Sequence, residues 1–142
     1  MITDEIIGRL NHLTVESSED YAQLDYLGEL AAHLESNHDG QRACQAILSV
    51  LERHPHVDFG TPGQLVHALE SYRGHYETLL QASLDRQPTA LTIWLLNRVI
   101  NAAGPEKPLL LAHLRRLRGH PRADAQAQAA IEEFYRFQEG EV

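Results

Sequence analysis

Five residues within a span of seventeen carry the donor atoms of a metal centre: His54, His56, Asp58, His67 and Glu70. Imidazole nitrogens and a carboxylate converging on one point would bind zinc tetrahedrally. His67 and Glu70, three apart, share a face if they lie on a helix. The H-E-x-x-H pattern of zinc hydrolases is absent, however, and His54 and His56 flank Pro55, which places them on a loop. A metal-dependent enzyme is therefore the weakest of three functional readings, and no metal or cofactor is expected. Nucleophiles fare no better. Ser49, Ser71 and Ser83 fall in mid-helix and lack the strained Gly-x-Ser-x-Gly turn. The single cysteine, Cys44, sits among Ala43, Ile47 and Leu48, the setting of a buried thiol. With no glycine-rich phosphate loop either, the chain carries no expected catalytic residue and is not read as an enzyme.

Charge points to binding instead. The net charge is −8, and all of it lies before Gly40, where nine carboxylates face Arg9 alone. From Gly40 onward eleven acids balance eleven bases. A one-signed field repels nucleic acid and anionic membrane surfaces and attracts a cationic partner. Glu16, Glu19 and Asp20 fall near an expected helix start, where the helix dipole stabilises negative charge. Asp25 and Glu29 have no such excuse: like charges one turn apart cost a few tenths of a kcal/mol. Glu35, near the end of the same helix, is opposed by the dipole. With Tyr21 and Tyr26 as aromatic anchors of the kind that dominate interfaces, the expected partner-binding face comprises Asp20, Tyr21, Asp25, Tyr26, Glu29 and Glu35. A basic stretch, Lys107, Arg115, Arg116, Arg118 and Arg122, has no acid within it. It has too few cations and no interleaved aromatics for a nucleic-acid surface. Its expected role is to complement a helix dipole or to pair with the acidic region.

The elements that position these groups read as helices throughout. At 142 residues, 43% of them hydrophobic, the chain has the size of one domain (residues 1–142) with a sizeable core. No apolar run approaches membrane-spanning length and the first residues are acidic, so a cytoplasmic protein without a membrane partner is expected. Helical periodicity recurs between Gly, Pro, Asn and His-Pro breaks. The spacing predicts helices over residues 3–13, 17–36, 41–53, 61–72, 76–84, 90–103, 106–117 and 122–138. The first is expected to be capped by Thr3 or Asp4, the second to start at Ser17 or Ser18. Thr61 as N-cap, Pro62 as first helical residue and Gln64 at N3 mark the fourth. Short connections imply antiparallel neighbours, arranged as a HEAT-like short solenoid or a compact helical bundle. The sixth helix carries Ile93, Trp94, Leu95, Leu96, Val99 and Ile100 around most of its circumference. Asn97 and Asn101, one turn apart on it, then need hydrogen-bond partners, which neighbouring loops are expected to supply.

Two segments taken together resemble a known family. Residues 58–70 have the form F-G-x-P-G leading into L-V-H-x-x-E, and residues 88–101 read P-T-x-x-T-x-W-x-L-N-R-x-x-N. This combination, within a span of about a third of the chain, resembles small all-α immunity proteins of bacterial polymorphic toxin systems, of the contact-dependent inhibition or type VI effector–immunity kind. The resemblance implies a cytosolic inhibitor that binds and neutralises a cognate toxin domain, with no catalytic residues. Gly60, Pro62, Gly63, Pro88, Trp94, Asn97, Arg98 and Asn101 look like its fold determinants. Many such toxins are cationic nucleases, which the acidic face would suit. The alternative is a HEAT-like adaptor for some other protein, with no toxin involved.

Overall fold

The computed structural model describes residues 1–60 and 63–140; the expected helix start at Thr61 and Pro62 lies outside the described residues. The fold is all-α. Among the described residues its eight helices are α1 (Thr3–His12), α2 (Tyr21–Glu35), α3 (Cys44–Arg53), α4 (Gln64–Ser71), α5 (Glu77–Arg86), α6 (Ala90–Ala102), α7 (Lys107–Leu117) and α8 (Ala125–Gln138). A 3₁₀ turn, Gly40–Ala43, leads into α3, and no strand occurs among the described residues. The chain divides into two compact units, Met1–Leu79 and Leu80–Val142.

In the first unit each helix buries one stripe and leaves the opposite face polar. Ile6 and Leu10 of α1, Leu27, Leu30 and Leu34 of α2, Ile47, Leu48 and Leu51 of α3, and Leu65, Val66 and Leu69 of α4 form its core. Each such side chain contributes about 1.5–3 kcal/mol by leaving water. The main pairings join helices two apart in the chain, α1 with α3 and α2 with α4. Two helix starts differ from expectation. The Ser17–Asp20 segment closes into a turn, with the Asp20 amide on the Ser17 carbonyl (3.1 Å) and the Glu19 amide on Ser17 Oγ (3.1 Å). Serine offers the backbone this local alternative to a helix, so α2 begins only at Tyr21. Helix α1 has no side-chain cap; the Thr3 hydroxyl instead donates to Asp39 Oδ1 at 2.6 Å, closing the turn after α2 onto α1.

The second unit is built around α6, which packs chiefly against α8 and also against α7. A reciprocal capping box starts α6: Thr89 Oγ1 accepts from the Thr92 amide (3.1 Å), and Thr92 Oγ1 accepts from the Thr89 amide (3.0 Å). Ile93, Leu95, Leu96 and Ile100 are fully buried. Trp94 and Val99 are only half-buried, so α6 is covered over less of its circumference than its apolar residues imply. The Arg98 guanidinium lies 5.0 Å above the Trp94 ring, a cation–π contact on the open side of the helix. Asp124 caps α8 by accepting from the Ala127 amide at 2.8 Å.

Candidate functional site

Burial fixes the orientation of α2. Leu27, Leu30, Ala31 and Leu34 face the core, which turns the opposite side, Tyr21, Asp25, Glu29 and Ala32, to solvent. At 1.5 Å rise per residue, steps of four put successive members about 6 Å apart along the axis. Tyr21 is 67% exposed. Asp25 and Glu29 are exposed and hold no hydrogen bond or ion pair among the described residues. The other three residues of the expected face have different settings. Asp20, half-buried before the first turn of α2, accepts the Glu16 amide on Oδ2 at 3.1 Å. Tyr26 is half-buried on the flank, and its hydroxyl accepts from Arg9 Nη1 at 2.5 Å. Glu35, exposed, ends the helix. Its charge adds to what raises the Tyr72 phenol above its ordinary value, after burial and the Cys44 thiol. The structure therefore gathers Tyr21, Asp25 and Glu29 into one stripe, while Asp20 precedes the helix and Glu35 ends it off that stripe.

The remaining acids of the amino-terminal region are partly neutralised inside the unit. Arg42 reaches Asp4 at 2.7 Å and Asp39 at 3.1 Å. The Thr3 hydroxyl, and then Arg42, hold the Asp39 carboxyl below the usual carboxylate range. Even so, the first unit carries thirteen carboxylates against four arginines, while the second carries seven against eight cations. Two cations of the basic stretch pair within their own unit. Arg115 pairs with Glu139 (3.1 Å) and Arg118 with Glu132 (2.7 Å). Arg118 also lies 4.3 Å over the Tyr135 ring.

The histidine cluster resolves into structural parts. His54 is buried, with both ring nitrogens on main-chain atoms. Asp58 Oδ1 accepts the Gly60 amide at 2.9 Å, forming the turn that enters the loop. His67 is exposed and Glu70 half-buried on α4. Among the described residues no three His, Cys, Asp or Glu side chains are placed to share an ion. Cys44 is buried, and burial followed by the charge of Glu77 pushes its thiol up to about 11.

Of the residues singled out by resemblance, Gly60 and Gly63 adopt φ of 107° and 90°, the left-handed region where side chains are strained. A Cβ on Gly63 would also strike the Phe59 carbonyl oxygen. Pro88 is buried beside the Thr89 cap, and Pro62 lies outside the described residues. Asn97 and Asn101 both accept from Gln138 Nε2, at 2.6 and 2.8 Å; their partner is the end of α8 rather than a loop. Sequence reasoning missed Gln138, Arg9 and Arg42 as partners, because each bond joins residues 17 to 41 positions apart. No local pattern marks such pairs.

Compared with known proteins, the chain matches no family model, no curated protein and no solved structure. No helix among the described residues is long and apolar enough to cross a membrane.

Proposed function

We propose that this protein is a bacterial immunity protein, which binds a cognate secreted toxin domain and neutralises it. The observation that carries the reading is the stripe of Asp25 and Glu29 beside the exposed Tyr21. These charges are unpaired, on a helix that gains nothing from them, in a unit already rich in carboxylates. The resemblance of residues 58–70 and 88–101 to immunity proteins supports it from a different part of the chain. The target is a basic domain, such as a nuclease whose cleft binds phosphates. Carboxylates on the solvent face of α2 occupy that cleft and compete with its nucleic acid, while Tyr21 supplies apolar area at the start of the stripe. Complementary charge speeds the encounter and fixes orientation, so association is fast at low salt and slows as salt rises.

The test is binding to the carboxy-terminal domain of a large secreted protein encoded beside this gene. Asp25→Arg together with Glu29→Arg should slow association about tenfold or more and flatten its dependence on salt. An unchanged association rate in the double variant refutes the acidic-face mechanism. If the neighbouring domain does not bind the wild-type chain at all, the immunity reading itself fails.

A further inference from the structure

The end of α3 and the loop after it grip the connection that leads from α1 into α2. Arg53 Nη2 donates to the carbonyls of Leu10 (2.8 Å) and Leu13 (3.1 Å), and the Asp58 amide donates to Ser18 Oγ (2.8 Å). Between these two holds lies His54, 8% exposed. Its Nδ1 is 2.6 Å from the Val50 carbonyl oxygen and its Nε2 is 3.0 Å from the Val15 amide nitrogen. A carbonyl oxygen only accepts and an amide N–H only donates. Nδ1 must therefore carry the proton and Nε2 the lone pair. Of the three protonation states open to an imidazole, one satisfies both neighbours.

We propose that His54 is a pH-sensitive latch on the α1–α2 connection, closed while the ring is neutral and opened by its protonation. A proton on Nε2 sets an N–H against the Val15 N–H. One buried hydrogen bond is lost and two buried donors face each other, which costs more than the bond alone. Histidine is the side chain whose charge ordinarily changes at mildly acidic pH. The titratable and charged side chains on the surrounding elements are Asp4, Glu5, Arg9 and His12 of α1, Glu16, Glu19 and Asp20 of the connection, Cys44, Glu52 and Arg53 of α3, and His56 and Asp58 of the loop. Arg53 is engaged by the Leu10 and Leu13 carbonyls, Asp58 by the Gly60 amide, Arg9 by Tyr26 and His12 Nδ1 by the Gly8 carbonyl. Both ring nitrogens of His54 meet main chain, so the latch answers to the ring's own proton. Opening it releases the Val15 amide, while the Arg53 and Asp58 holds on either side remain. The proposal concerns regulation of the first unit and stands or falls apart from the toxin reading.

Nuclear magnetic resonance on the full chain tests it without a partner. Near pH 8 the His54 ring should show the tautomer protonated at Nδ1. As the ring takes up a proton on acidification, exchange protection of the Val15 amide, corrected for intrinsic rates, should fall about tenfold in step with it. In His54→Gln, which keeps an acceptor for Val15 but cannot titrate, that protection should stay level across the range. The latch is refuted by an Nε2-protonated tautomer near pH 8, or by a ring that stays neutral until the chain unfolds. It is equally refuted by Val15 protection that ignores ring protonation, or that falls as much in His54→Gln. The wild-type tautomer and titration decide the matter even if the variant does not fold.

Discussion

Two residues show how position alone decides chemistry. Cys44 has the thiol of a reactive cysteine but none of the surroundings, since burial and then the charge of Glu77 push its pKa up to about 11. The thiolate is the reacting species. Alkylation by iodoacetamide at pH 8 should therefore run about 100-fold slower in the folded chain than in urea; comparable rates would mean the core around α3 is open. Gly40 is the opposite case, a residue chosen for what it lacks. A Cβ there would run into the Tyr72 hydroxyl and the Leu34 carbonyl oxygen. Gly40→Ala should lower unfolding free energy by about 1–3 kcal/mol in a urea titration, with tyrosine absorbance reporting the shift of Tyr72. From the sequence Gly40 is legible only as a helix stop, because the ring that forbids a side chain comes 32 positions later. Gly60 and Gly63 are legible, since clustered glycines beside a proline announce a turn without distant information. His54 illustrates an ambiguity in the alphabet itself: a histidine bonded to main chain and one bound to a metal are the same letter.

At the scale of elements, helix existence is readable from the 3.6-residue period, whereas helix starts depend on local competition for backbone hydrogen bonds. Thr89 and Thr92 win that competition for α6. Thr89→Ala removes an acceptor for a buried amide and should cost about 1 kcal/mol by chemical denaturation, with Thr89→Ser restoring most of it. Ser17 wins it against α2, which is why that helix starts at Tyr21 and not at the serines. The sixth helix was readable as apolar, yet its apolar residues do not reveal that Trp94 stays half-exposed under Arg98. Nor do they reveal that α8 returns to place Gln138 on Asn97 and Asn101. Bonds between helices depend on how the whole unit packs, and periodicity within one helix holds no record of that.

For the molecule as a whole, the acidic stripe of α2 was legible in type and spacing, and the structure adds that Asp25 and Glu29 are exposed and unpaired. That makes a sharp expectation possible. Asp25→Asn with Glu29→Gln should raise stability by a few tenths of a kcal/mol, because a like-charge pair is relieved and nothing is lost, while weakening association with a basic partner. A fall in stability would show that the carboxylates hold the fold. The uneven distribution of aromatic side chains has a practical consequence. The only tryptophan, Trp94, lies in the second unit, whereas Tyr21, Tyr26, Tyr72 and Tyr76 lie in the first, with Tyr135 alone in the second. Trp94 emission therefore watches one unit, and tyrosine emission chiefly watches the other. Melting curves at the two wavelengths, taken without any label, measure whether the units unfold as one cooperative block.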